Sequence, residues 1–169
     1  MEQLGVAFEV RVADVEELTA GPPDEVAIEN AYRKAAAVVT SAEDPPVLGV
    51  DTVVTIGGRI YGKPRDREHA RETLEALAGR RHAVISGICV IERNAPRTAA
   101  ARTLVDLRAL DARLIESYLD TGEWRGRAGA YAIQGRGALL VRAIEGDYLN
   151  VVGLPVAALA ELAPSLLGL

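Results

Sequence analysis

Aromatic residues are scarce in this chain of 169 residues, with one Trp, one Phe and five Tyr. The core must therefore be aliphatic, built from Ala, Val, Leu and Ile. Sulfur is scarcer still, with one Cys and one Met. A single Cys89 excludes an internal disulfide, and no His/Cys cluster has the spacing of a zinc site. In Gly87-Ile88-Cys89-Val90-Ile91 its role is that of a small buried hydrophobe, and a reducing cytoplasm is the expected compartment. Two histidines, His69 and His82, do not assemble a Ser-His-Asp triad. Positive charge is not in excess: the formal net charge of -5 argues against a protein that coats nucleic acid or a membrane, although a small anionic substrate needs only a local cluster of cations. No run approaches the roughly 20 apolar residues that span a bilayer. Met1-Glu2-Gln3 does not read as a secretory leader. Internal repeats, a Walker-type loop and a dinucleotide fingerprint are all missing.

What is present has the size and make-up of one globular domain, 49% hydrophobic and 25% charged. Residues 6–12 alternate and predict a short strand. Asp24 is expected to cap a helix to about Val39, with Ala27, Ala31, Lys34, Ala35 and Val38 on one face. Lys34 is the odd member of that stripe. Either it snorkels outward, the commoner fate for a lysine, or it points into a polar cleft beside the core. Residues 47–56 predict a buried strand, Gly57-Gly58 a two-residue hairpin turn and residues 59–62 the return. That hairpin carries Lys63 towards Asp51-Thr52, although Pro64 breaks the ladder there. Asp66 caps the next helix, with Ala70, Leu74 and Leu77 inward and Gly79 as its stop. Residues 82–91 and 97–110 predict paired strands. Asp111 begins a helix with Leu114, Ile115, Tyr118 and Leu119 inward, ended by Thr121-Gly122. The glycine-rich residues 126–137 lead to a strand over 138–144, a turn at Glu145-Gly146-Asp147 and a last helix from Pro155 to Leu167. The alternation of strands, helices and hairpins predicts an α/β domain with a mixed, twisted sheet flanked by helices.

Asp51 is the residue on which chemistry would centre. An ionised carboxylate within an apolar strand is costly unless paired, hydrogen-bonded or bound to metal. A strand-end Asp satisfied by backbone amides is the commoner case. The Thr52 hydroxyl, the hairpin that brings Lys63, and the acids Asp14, Glu16 and Glu17 favour a functional site. Those acids with Asp51 offer oxygen ligands for Mg²⁺, which takes carboxylates together with water and phosphates. In Gly129-Ala130-Tyr131-Ala132-Ile133-Gln134-Gly135-Arg136-Gly137, glycines let the backbone approach a ligand, and an amide such as Gln134 can read a base; a bulged strand entry is the plainer alternative. His69 reads as solvated and His82 as structural.

Taken in order, five blocks resemble the Maf family of nucleoside triphosphate pyrophosphatases, once described as septum-formation inhibitors. They are Gly49-Val50-Asp51-Thr52-Val53-Val54, Gly62-Lys63-Pro64, Gly79-Arg80-Arg81-His82, Gly129-Ala130-Tyr131-Ala132-Ile133-Gln134-Gly135, and Glu145-Gly146-Asp147-Tyr148-Leu149-Asn150-Val151-Val152-Gly153-Leu154-Pro155. They run over essentially the whole chain. The resemblance implies cleavage between the α and β phosphates, releasing a monophosphate and pyrophosphate, with Mg²⁺ or Mn²⁺ as cofactor. It implies Asp51 as the base that activates water, Asp51 and Glu17 as metal ligands, and Lys34 and Lys63 as phosphate-neutralising groups. Thr52 and Gln134 match positions linked to base selection, and Ile-Gln-Gly resembles the dTTP/UTP branch. The implied partner is a nucleotide, with a homodimer allowed.

Three departures stand out. Glu16 replaces an Asp of the family's acidic segment, and Arg127 stands where Lys is frequent, which keeps charge but alters geometry. The family also begins earlier, with a strand and a phosphate-binding loop containing Ser-x-Arg-Arg, whereas Met1-Glu2-Gln3-Leu4-Gly5 matches the end of the helix that follows that loop. The resemblance thus implies a single domain over residues 1–169 that is N-terminally truncated and lacks an interior strand. Two readings follow: a misassigned start of a normal enzyme, or a catalytically weak or inactive nucleotide-binding or regulatory protein linked to cell division.

Overall fold

The computed structural model describes Met1 and residues 4–169. Helix α1 (Pro23–Ala36) precedes β1 (Val47–Ile56) and β2 (Arg59–Tyr61); α2 (Arg67–Leu77) leads to β3 (Arg81–Glu92) and β4 (Ala95–Leu107). Then come α3 (Ala112–Thr121), β5 (Val141–Glu145), α4 (Tyr148–Val152) and α5 (Val156–Leu162). The strands form one sheet in the order β2-β1-β3-β4-β5.

The α/β class with flanking helices is as the sequence predicts. The sheet is not mixed, however: each of its pairings is antiparallel. Alternation of helices and strands along a chain does not fix strand direction; here β1–β2 and β3–β4 are hairpins, and α2 returns the chain antiparallel to β1. Gly57 and Gly58, with φ of 57° and 84°, make the tight turn, because the turn that suits strand twist needs positive φ at both positions. The register Ile56↔Arg59 is the expected one.

Successive side chains of β1 and β3 point to opposite faces. One face carries α1, whose Val26, Ala27, Ala31 and Ala35 pack on Val53, Ile85, Cys89 and Ile91. The other carries α2, α3, α4 and α5 on a core that includes Val54, Leu74, Leu77, Val84, Val105, Leu119 and Tyr131, with Ile88, Val90 and Leu159 beside it. Cys89 is fully buried, and burial pushes its thiol up to about 11, so it is the inert hydrophobe expected. Helix α1 lies unusually close to the sheet. A Cβ on Gly49 would sit 2.2 Å from the carbonyl oxygen of Ala31, and one on Gly87 2.3 Å from that of Ala27.

Several local expectations change. Residues 6–12 form no strand and pair with none among the described residues, and Phe8, Val10 and Val12 are 49%, 76% and 90% exposed. Alternation produces a strand only where an edge is there to receive it. The helix end expected at Met1–Gly5 includes Glu2 and Gln3, which lie outside the described residues. Asp24 falls inside the first turn of α1, where it favours the helix dipole and pairs with Arg102; Pro22 holds the cap position. A 3₁₀ turn occupies Gly135–Leu139, so β5 starts later than expected. A short helix, α4, follows the turn at 145–147. Asp66 and Asp111 cap as predicted, accepting from the backbone N–H of His69 and Leu114. No helix among the described residues is long and apolar enough to cross a membrane.

The close approach of α1 yields a stability test. Gly87→Ala places a methyl inside the helix backbone and should cost about 2 kcal/mol or more, read as a Tm lower by about 4–8 °C. Gly62→Ala, which meets open space, should stay within about 0.5 kcal/mol of wild type.

Candidate active site

The site grows from Asp51, 5% exposed and on the α1 face of β1. Because α1 rests on glycine, its polar residues come within reach of the strand. Lys34 Nζ lies 2.5 Å from Asp51 Oδ1, and Asn30 Nδ2 donates to Asp51 Oδ2 at 3.1 Å. Asn30 and Lys34 are one helical turn apart and share a face. Asn30 is itself buried and also binds both backbone groups of Leu18, accepting from its N–H at 2.7 Å and donating to its carbonyl at 3.0 Å. That clasp fixes the loop preceding α1 beside the strand.

The clasp also fixes Glu17. Its carboxylate lies 2.8 Å from Lys34 Nζ and 2.8 Å from Lys63 Nζ. Acid and base thus alternate across the cleft: Lys63, Glu17, Lys34, Asp51. Burial pushes the Lys34 ammonium down, but its bonds to Asp51 and Glu17 outweigh this and hold its pKa above the usual lysine value. Burial likewise pushes Glu17 up, and the bonds from Lys34 and Lys63 outweigh it, holding the carboxyl below the usual range. Both groups are therefore charged at neutral pH.

Thr52, next along β1, points to the opposite face. Both residues nevertheless line one cleft of about 230 Å³, with Lys34, Lys63, Gln134 and Gly153. A second hollow of about 430 Å³ shares Asp51, Thr52 and Lys63 with the first and adds Glu17, Asn30 and His69. Consecutive strand residues serve one cleft only where the strand has an open edge. Here β1 pairs with β2 over Val54–Ile56 alone, so on that side residues 47–53 have no strand partner among the described residues. The hairpin therefore brings Lys63 to Glu17, and not into the ladder opposite Thr52.

The far wall is the segment after α3. Tyr131 is buried and its hydroxyl lies 2.8 Å from His82 Nε2. Ala130, with φ of 59°, holds a left-handed conformation that is costly for alanine, a form of strain that concentrates at functional sites. The carboxylate of Glu123 accepts from the N–H groups of Arg136 and Gly137 at 3.0 and 3.1 Å, tying down the turn beside Gln134. Gln134 and Arg127 are exposed on the lip of the cleft.

The residues Glu17, Lys34, Asp51, Thr52, Lys63 and Gln134 thus border two hollows that share Asp51, Thr52 and Lys63, with Lys34 and Gln134 on the first and Glu17 on the second. Lys34 points inward to the polar cleft rather than snorkelling away. Asp14 and Glu16 do not join the network around Asp51; the Glu16 carbonyl is engaged by Arg33. His82 is buried and structural, while His69 is half-buried and accepts from the Arg65 N–H. Sequence reasoning missed Asn30, although a polar residue on the Ala27–Ala31–Lys34 stripe was a signal. It also missed Ser86 and Asn150, buried polar residues behind Thr52.

The Maf-like protein family profile matches residues 1–166. The chain belongs to the Maf-like protein family. Among its relatives, the "dTTP/UTP pyrophosphatase" of Pelotomaculum thermopropionicum is 44% identical over 166 residues, covering 96% of this chain and 87% of that protein. Proteins of the same name from Pyrococcus furiosus and Thermococcus kodakarensis are 45% and 47% identical, each covering 83% of this chain and 74% and 76% of theirs.

Two measurements probe this Maf-like site. Lys34→Met leaves the Asp51 carboxylate buried beside Asn30 alone and should cost about 3 kcal/mol in chemical denaturation; adding Asp51→Asn should recover most of that loss, because a neutral pair carries no buried charge. His82 supplies a pH test. Burial lowers its pKa from 6.5 to about 4, so between those values the unfolded chain binds a proton that the folded one refuses. Its contribution is present above pH 6.5 and is lost as pH falls towards 4. Wild type should lose about 1.4 kcal/mol per pH unit relative to His82→Gln across that window.

Proposed function

We propose that this chain hydrolyses dTTP, UTP or a related nucleotide to the nucleoside monophosphate and pyrophosphate. The observation that carries the proposal is the single cleft lined both by charged groups, Asp51, Lys34 and Lys63, and by neutral hydrogen-bonding groups, Thr52 and Gln134. A nucleotide presents the matching combination, charged phosphates and a neutral base. The names of the relatives point the same way.

Phosphoryl chemistry depends chiefly on positioning and charge neutralisation. Lys34 and Lys63 neutralise the phosphates. Asp51 accepts the proton of the attacking water. With two oxygens and about four lone-pair sites, a carboxylate already bonded to Lys34 and Asn30 keeps room for that water. The water oxygen bonds to phosphorus, the bond from the α phosphorus to the bridging oxygen breaks, and pyrophosphate departs with that electron pair.

The donor set fits a hard divalent cation. Glu17 and Asp51 place a carboxylate oxygen each on one positive centre, the Lys34 ammonium. No group of three or more His, Cys, Asp or Glu is gathered among the described residues, so water and substrate phosphates would complete the shell, the mode Mg²⁺ favours. Glu17 and Asp51 would hold it. When bound, Mg²⁺ or Mn²⁺ supplies charge neutralisation and a more acidic water.

The test is pyrophosphate release from a panel of nucleoside triphosphates with Mg²⁺ or Mn²⁺. dTTP and UTP should be the preferred substrates, and Asp51→Asn should lower kcat by about 10²-fold or more. A folded wild type inert on every nucleotide would refute the enzyme reading; an Asp51→Asn protein as fast as wild type would remove Asp51 from the role of base.

A further inference from the structure

A threonine hydroxyl can donate or accept, so Thr52 alone does not specify which base edge it suits. The groups behind it do. Thr52 and Ser86 face each other in the β1–β3 ladder, and their hydroxyl oxygens lie 2.8 Å apart. Ser86 is fully buried, and its oxygen lies 3.2 Å from the main-chain carbonyl of Asn150. A carbonyl has no proton to give, so the proton between them belongs to Ser86. Turned towards Thr52 instead, it would leave two oxygens opposed lone pair to lone pair, without water to intervene. Having committed its one proton to Asn150, Ser86 can only accept from Thr52. The Thr52 proton then points into the sheet, and its lone pairs face the cleft.

The position of the Asn150 carbonyl is fixed in turn. The buried Asn150 amide donates to the Val84 carbonyl at 3.1 Å and to Thr103 Oγ1 at 3.0 Å, and Thr103 donates to the Asp147 carbonyl at 2.9 Å. These bonds pin the N-terminal end and the middle of α4 to β3 and β4. The same Asn150 carbonyl accepts from the N–H of Gly153, which lines the cleft beside Thr52.

We infer that Ser86, held by Asn150, sets the base preference of the cleft by locking Thr52 as a hydrogen-bond acceptor. The inference rests on the nucleotide-hydrolase reading above. Uracil and thymine carry a donor, N3–H, between two carbonyls. Cytosine carries a lone pair at N3 and would meet the Thr52 lone pair head on. A site built around one hydrogen-bond polarity rejects the analogue of opposite polarity far more strongly than a shape difference could. Ser86 is a positioning residue: it acts through Thr52 and lies on the opposite face of the sheet from Asp51.

The experiment compares wild type, Ser86→Ala and Ser86→Thr on UTP and CTP by kcat/KM, with calorimetric binding of UMP and CMP as a readout independent of turnover. Ser86→Ala removes one oxygen, and the Asn150 carbonyl keeps its bond from Gly153, so the fold is retained. Its UTP-over-CTP preference should fall about tenfold or more, through a higher KM for UTP and a lower KM for CTP, with kcat on UTP changed by less than about threefold. The UMP-over-CMP binding ratio should fall in parallel. Ser86→Thr keeps the hydroxyl and should keep the preference. An unchanged preference in Ser86→Ala, or a Ser86→Thr protein as unselective as Ser86→Ala, would overturn the inference while leaving the hydrolase reading intact. A wild type that hydrolyses neither nucleotide would overturn both.

Discussion

A carboxylate removed from water must be matched where it stands, and the arrangement of this protein around Asp51 follows from that requirement. Asp51 sits within an apolar strand, where an unpaired negative charge would cost several kcal/mol. Lys34 and Asn30 meet it from one turn of α1. To do so they draw the helix onto the strand. Asn30 also grips Leu18, which brings Glu17 over Lys34, and Glu17 in turn receives Lys63 from the β1–β2 hairpin. One buried charge thus orders a helix, a loop and a hairpin that are distant in sequence.

The pleat of β1 then divides the labour. Asp51 lies on the α1 face among charges; Thr52 lies on the opposite face among neutral polar groups. Each is tuned by its own surroundings, ion pairs for one and a chain of hydroxyl and amide bonds for the other. They serve one cleft because the edge of β1 beside them is free of a paired strand among the described residues. The ionic surroundings of Asp51 and the hydroxyl and amide surroundings of Thr52 can therefore be altered independently although the two residues are adjacent.

Much of this was legible in sequence because it is local. The acid in an apolar run, the lysine on an alanine stripe and the paired glycines of the hairpin each break or complete a short-range pattern. Asn30, Ser86 and Asn150 were not legible in the same way, since their significance lies in partners 21 to 66 positions away. Strand direction was misjudged for a related reason: the order of elements does not encode the sense in which they pair. Residues 6–12 have the alternation of a strand without the neighbour that would make them one. The short helix α4 occupies five residues, too few to display a helical period.

Gly49 and Gly87 have a meaning beyond close packing. They lie on adjacent strands beneath successive turns of α1, at Ala31 and Ala27. Shifting β3 against β1 by one residue would bring Ser86 or Ile88 under the helix in place of Gly87, and α1 could not seat. The two missing side chains therefore work as a key: the helix closes on a single alignment of the strands, and it is that alignment which sets Thr52 opposite Ser86 and Asp51 opposite bare backbone.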